Sequence, residues 1–231
     1  MNEPRVAVLI DADNVSGDHA SAVLEEAGQQ GRVIIRRIYG DWTENALKKW
    51  KRVLADLAIA PVQQFQNTVG KNATDSALII DAMDLLHSDS AEVFCLVSSD
   101  ADFTRLASRL REAAHVVVGI GQKKTPKPFV NACDRFIFIE NLTRKPRAGN
   151  SKQAAVEPEA AELLERAFDD VENEDGLAYL GGLGSALLKL DPSFDSRTYG
   201  YRKLTDLVVA HPKFDLRTHP TKNAKVVTRK K

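Results

Sequence analysis

Cysteine is nearly absent from this chain: there are two, Cys95 and Cys133, in 231 residues. Neither has a partner at metal-ligand spacing, and two thiols make no disulfide framework, so neither a zinc site nor a stapled scaffold is expected. Cys95 lies inside the apolar run 92–97, where it reads as a small core residue. This sparse usage suits a reducing compartment, and a cytoplasmic location is expected. Long apolar runs are missing as well. None approaches the roughly 20 residues of a membrane span. The first strand-like stretch begins at Arg5, which leaves no signal peptide in front of it, so no membrane association is expected. A glycine-rich phosphate loop of the Walker type is lacking, and so is any Ser-His-Asp or Cys-His arrangement. Those gaps argue against P-loop chemistry and covalent acyl transfer.

Net charge is also lacking, but the neutrality is a cancellation. Residues 1–143 hold 16 basic and 19 acidic side chains. Residues 144–158 set Arg144, Lys145, Arg147 and Lys152 against Glu157, and residues 213–231 carry seven basic side chains against Asp215. A basic linker and a basic tail behind a slightly acidic first part suit a polyanionic partner.

What the chain does contain is a regular alternation. Runs rich in Val, Leu and Ile occupy 5–10, 33–39, 93–97, 116–120 and 136–139, with a shorter one near 61–65. Several are apolar on both faces, as strands buried between two helix layers must be. Between them the apolar spacing is helical. In 43–57 it falls on Ala46, Leu47, Trp50, Val53, Leu54 and Leu57, and in 103–113 on Phe103, Leu106, Ala107 and Leu110. The pattern predicts a parallel α/β sandwich with right-handed crossovers. Residues 141–158 lose the apolar period and read as a linker. Beyond it, helices are expected around 161–171, 180–190 and 199–209 and a small hairpin at 214–216 and 226–228, a winged-helix plan. The domain division is therefore 1–143, a basic linker 144–158, and 159–231.

The chemistry lies in carboxylates. The first strand runs into Asp11-Ala12-Asp13-Asn14 and the fourth into Ser98-Ser99-Asp100-Ala101-Asp102. A third acidic group, Asp75 followed by Asp81 and Asp84, lies on the helix after Gly70. In an open parallel sheet, ligands bind beyond the carboxyl ends of strands where the strand order switches. If strands one and four are neighbours there, Asp11, Asp100 and Asp102 converge. Asp13, Asp75 and Asp102 also stand where a helix N-cap is wanted, which any one of them could satisfy alone. Two strands of one sheet both ending in Asp-x-Asp call for more than capping. Clustered carboxylates repel, and hard oxygen donors suit Mg²⁺ or Mn²⁺, which can polarise a phosphodiester.

The segments 9–14 (LIDADN), 39–42 (YGDW), 71–75 (KNATD) and 97–103 (VSSDADF) resemble the NYN branch of the PIN-like nucleases, in order and at family-like spacing over roughly 1–143. A closing Asp134-Arg135-Phe136-Ile137 belongs to the same resemblance. It implies a Rossmann-like α/β/α sandwich and Mg²⁺- or Mn²⁺-dependent hydrolysis of RNA. It also implies that Asp11, Asp75, Asp100 and Asp102 bind the metal, that Asn14 orients the first of them, and that Lys71 contacts the scissile phosphate or its neighbour. Asp13 and Asp41 fall near the cleft.

The final third resembles the OST-HTH or LOTUS domain in 180–187 (LGGLGSAL), 192–195 (PSFD), 199–207 (YGYRKLTDL) and 212–214 (PKF). That resemblance implies an RNA-binding module, with a protein partner as the other class. Arg197, Arg202 and Lys203, at the start of the expected third helix, are its phosphate-contact candidates. Nearer the cleft, Trp42 can stack on a base or pack against its own helix. Lys48, Lys49, Lys51 and Arg52 read as a solvated face, and Lys123, Lys124 and Lys127 flank the cleft. The competing readings are a catalytically silent RNA-binding adaptor and a haloacid-dehalogenase-type phosphatase with Asp11 as nucleophile. Asn14-Val15 stands where the latter usually has Gly-Thr.

Overall fold

The computed structural model describes residues 3–65, 73–143, 156–219 and 222–230. It divides into two compact units, 1–143 and 144–231. The first alternates strand and helix: β1 (Arg5–Asp11), α1 (Ala20–Gly28), β2 (Arg32–Gly40), α2 (Lys48–Val53), β3 (Ala60–Gln63), α3 (Ala73–His87), β4 (Val93–Val97), α4 (Thr104–Glu112), β5 (Val116–Gly121), α5 (Lys127–Ala132), β6 (Arg135–Phe138) and α6 (Ile139–Thr143).

The six strands form one sheet in the order β3-β2-β1-β4-β5-β6, every neighbouring pair parallel. Strand alternation sends side chains to two separate cores. From β1, Ala7 and Leu9 face one layer, with Leu78 and Ala82 of α3, Leu106 and Leu110 of α4 and Phe129 of α5. Val6, Val8 and Ile10 face the other, with Ala20 and Val23 of α1 and Trp50 of α2. All five β1 residues are fully buried, and burying a Val, Leu or Ile contributes roughly 1.5–3 kcal/mol. This is the three-layer sandwich that the apolar runs predict. Both cysteines are buried and free, Cys95 in the α1 core and Cys133 in the α3 core.

The helix expected over 43–57 is shorter: a 3₁₀ turn at Asn45–Leu47 leads into α2, which ends at Val53. Trp50 and Leu47 still reach the core, so the spacing was set by burial rather than by one continuous helix. The sixth strand stops at Phe138, and Ile139 opens α6.

The second unit contains α7 (Pro158–Val171), β7 (Leu177–Tyr179), α8 (Leu180–Leu190), α9 (Leu204–Ala210), β8 (Phe214–Thr218) and β9 (Lys225–Arg229). The antiparallel order β7-β9-β8 makes the expected hairpin a three-stranded wing. Val156, two residues ahead of α7, is buried in this core beside Leu164 and Phe168, so the compact part begins slightly before residue 159. The third helix expected over 199–209 is divided. A 3₁₀ turn at Ser196–Tyr199 is closed by Gly200 at φ +86°, and α9 starts only at Leu204. A left-handed residue breaks the helical path, and glycine adopts that conformation without strain.

Candidate metal centre

The strand order reverses direction between β1 and β4, which are paired from Val6↔Val93 to Ile10↔Val97. Both therefore deliver their Asp-rich exits to one point at the carboxyl edge of the sheet. Gly121 lets the end of β5 close on it: a Cβ there would lie 2.4 Å from the Ser98 carbonyl oxygen.

Asp11 ends β1 and is 1 % exposed. Its Oδ2 accepts from Asn14 Nδ2 at 2.6 Å and from Ser98 Oγ at 2.9 Å, and its Oδ1 accepts the Asp13 N–H at 3.1 Å. Burial pushes its pKa up, while the Ser98 and Asn14 hydrogen bonds hold it back. The Ser98 hydroxyl also accepts the Asp100 N–H at 3.1 Å, so one side chain joins the two acidic exits. Asp100 caps the following turn, its Oδ1 accepting the Asp102 N–H at 2.9 Å.

Asp75, in the first turn of α3, comes to the same place from a different element. Asp75, Asp100 and Asp102 each bring a carboxylate oxygen within 4.8 Å of the others. Burial, followed by repulsion from Asp11, Asp100, Asp102 and Asp13, raises the Asp75 pKa to about 6. Asp11 stands outside the 4.8 Å group, anchored beneath it by its hydrogen bonds. Asp13 is exposed and held by the Thr74 side chain, one residue from Asp75. The turn after β4 is capped by Asp100 rather than by Asp102, and the turn after β1 by Ser16 rather than by Asp13, while Asp75 lies inside the first turn of α3; at Asp100, capping and clustering occur together.

Other candidates are placed differently. Asp41 is buried and accepts from Thr43 Oγ1 at 2.6 Å and from Gln63 Nε2 at 2.9 Å, which joins the ends of β2 and β3. Trp42 is half-buried against the α1 core, and its indole N–H donates to the Val62 carbonyl at 3.0 Å. Asp81 pairs with Arg37 and accepts from the Tyr39 hydroxyl. Lys71 lies outside the described residues. In the second unit the Arg197 guanidinium is paired with Asp195 at 2.7 Å, whereas Arg202 and Lys203 are exposed ahead of α9. Sequence reasoning gave no role to Ser98, Thr74 or Gln122. The signal for Ser98 was its place two residues ahead of Asp100, directly after a fully buried strand.

A Rossmann-like sandwich with carboxylates gathered at its switch point defines a class of α/β proteins with an acidic ligand site. The NYN domain model matches residues 5–140 and the OST-HTH/LOTUS domain model residues 152–226. The chain belongs to the NYN family, within the PIN-like nuclease superfamily, and carries a C-terminal OST-HTH/LOTUS domain. These are the domains of a ribonuclease-type or RNA-binding protein, and the phosphatase alternative is set aside. Two solved structures are similar. One is a protein of unknown function from Vibrio parahaemolyticus, with 18% identity over 58% of this chain and 92% of the other and a TM-score of 0.49. The second is an uncharacterized protein from Nitrosomonas europaea, with 32% identity over 38% of this chain and 92% of the other and a TM-score of 0.28. No curated protein matches. Among the described residues no helix is long and apolar enough to cross a membrane.

Proposed function

We propose that this protein is a divalent-metal-dependent ribonuclease in which Asp75, Asp100 and Asp102 hold Mg²⁺ or Mn²⁺. The observation that carries this reading is the approach of three carboxylate oxygens, contributed by α3 and by the exit of β4, to within 4.8 Å of one another. Such proximity is unfavourable among anions in a half-buried site, and a cation relieves it. All three donors are hard oxygens, with no thiolate or imidazole in the set, which suits Mg²⁺ or Mn²⁺ rather than zinc. When bound, such an ion would supply charge neutralisation at the phosphate and activation of water for hydrolysis of the phosphodiester. Asp11 adds negative charge beneath the cluster, and Asn14 and Ser98 hold its carboxylate in one orientation. Lys71, four residues ahead of Asp75, is assigned to the scissile phosphate or its neighbour, in keeping with family membership. The second unit is assigned to RNA binding, with Arg202 and Lys203 as phosphate contacts; Arg197, paired with Asp195, positions the turn ahead of them.

The test is incubation of purified protein with several RNAs in Mn²⁺, Mg²⁺ or a chelator, beside Asp100→Asn and Asp11→Asn. Removal of one positioned charge should lower the cleavage rate by at least roughly 10²-fold, and the chelator should abolish it. Equal cleavage by the double variant and the wild type, in a nuclease-free preparation, refutes the assignment. Persistent RNA binding without cleavage by the wild type instead identifies a silent RNA-binding adaptor.

A further inference from the structure

We infer that the turn joining β5 to α5, together with the first residue of α5, forms a phosphate grip of Lys123, Lys124 and Lys127 that holds the RNA backbone beside the carboxylate cluster. The choice of RNA as the polyanion rests on the reading above.

The turn is fixed against both acid-bearing exits. The Gln122 N–H donates to Ser99 Oγ at 2.8 Å, and Gln122 Nε2 donates to the Asn14 carbonyl at 3.3 Å. The close approach at Gly121, with no room for a Cβ beside the Ser98 carbonyl, seats the root of the turn on the exit of β4. Thr125 closes it, its N–H and its hydroxyl both donating to the Gln122 carbonyl, at 2.9 and 2.6 Å. The Lys123 N–H donates to both oxygens of Glu140, at 3.0 and 3.2 Å. At the far end, Phe129 of α5 packs 6.3 Å from Phe103, the residue after Asp102. The turn is therefore braced at each end, and what it presents outward is lysine. Lys123, Lys124 and Lys127 are all exposed, and among the described residues none of the three ammonium groups has an ion-pair partner.

Three exposed cations on a segment braced against both acid-bearing exits place positive charge where an approaching polyanion would otherwise meet only carboxylates. Without such a grip, the carboxylates would repel the approaching phosphates over roughly the 8 Å Debye length at physiological salt. Lysines act as point charges and contact phosphate without reading bases, so the grip is sequence-neutral.

The experiment measures binding of a fluorescein-labelled hexauridylate, by anisotropy at several NaCl concentrations. The protein is full-length and carries Asp100→Asn so that the probe survives. A hexamer limits the contribution of distant contacts. In this background, Lys123→Gln/Lys124→Gln/Lys127→Gln should weaken binding by roughly tenfold or more. It should also reduce the slope of log K against log salt by about 2, three phosphates at about 0.7 each. Lys→Arg at the same three positions keeps the charge and should bind as the parent does, which separates loss of contact from loss of fold. Lys48→Gln/Arg52→Gln, on the exposed face of α2, should leave the hexamer unaffected. Unchanged affinity and slope in the triple Gln variant, or an equal loss in the α2 variant, overturns the proposal. Cleavage is scored separately: a wild type that cuts no RNA refutes the nuclease reading and leaves the grip standing or falling on its own binding data.

Discussion

Ser98 offers the sharpest single perturbation, because one hydroxyl connects the two acidic exits. It donates to Asp11 at 2.9 Å and accepts the Asp100 N–H at 3.1 Å. Ser98 and Asp11 are each 1 % exposed, so water cannot stand in for the lost hydroxyl in Ser98→Ala. A hydrogen bond to a charged group contributes roughly 1.5–3 kcal/mol, and leaving the Asp100 amide without its acceptor costs about 1 kcal/mol more. The first unit should therefore lose about 2–4 kcal/mol. At about 2–4 °C per kcal/mol for a unit of this size, its Tm should fall by roughly 5–15 °C. Asp11, already pushed up by burial, would move further in that direction. Because Ser98 also fixes the backbone that presents Asp100, Mn²⁺ affinity should fall about 10–100-fold, as when a group that orients a metal ligand is removed. Ser98→Thr retains the hydroxyl and should keep most of both properties. The assays are thermal and urea denaturation followed by circular dichroism, and titration of free Mn²⁺ by electron paramagnetic resonance. A Ser98→Ala variant with unaltered stability refutes the hydrogen-bond accounting. A less stable variant with unaltered Mn²⁺ affinity shows that Ser98 only braces the sheet and that the cluster does not depend on it.

Limited proteolysis should cut first within 144–155 and leave two resistant fragments, since the described residues of the first unit run to Thr143 and those of the second begin at the buried Val156; first cuts inside 5–140 would show that the units are not independent. Deleting residues 156–231 should weaken RNA binding and flatten its salt dependence, while single-turnover cleavage at saturating RNA changes little. If 1–145 binds RNA as tightly as the full chain and the second unit alone binds none, that unit serves a protein partner instead. The second unit should also lose stability in mild acid. His211 is 1 % exposed, and its Nδ1 accepts the Lys213 N–H at 3.2 Å. Burial pushes the imidazole pKa below its usual value, against the opposing pull of Glu165 and with help from Lys213 and Lys230. The folded state therefore favours the neutral ring. Its stabilisation is complete above the ordinary histidine pKa of about 6.5 and is lost as pH falls through the lower folded value. Urea midpoints of the isolated second unit between pH 7.5 and pH 5 should fall for wild type and less for His211→Gln; a flat wild-type profile would contradict this.

Some features of this protein were determined by local pattern alone. Runs such as 6–10 and 93–97 are apolar at every position, and only a strand covered on both faces tolerates that; both are buried in the sheet. Asp-x-Asp directly after such a run is legible too, because a buried strand must exit into polar turn residues at its edge. The divided third helix was less so. The apolar spacing of Tyr199, Leu204 and Leu207 is maintained across a break, and the cue was Gly200, whose positive φ the spacing does not register.

Only the tertiary structure decided which acids share a point in space. Pairing of β1 with β4 brings together residues 87 apart, Asp11 and Ser98. The seating of α3 brings Asp75 to Asp100 and Asp102 while Asp81, six residues further along the same helix, is turned to Arg37 and Tyr39. Likewise, only the fold separates Asp11, buried and held by three hydrogen bonds, from the three acids whose oxygens lie within 4.8 Å of one another. The sequence specifies where polar residues leave the core because that depends on neighbours along the chain. Which of them meet depends on strand order and crossovers, and these follow from burying two helix layers on a single sheet rather than from any local stretch.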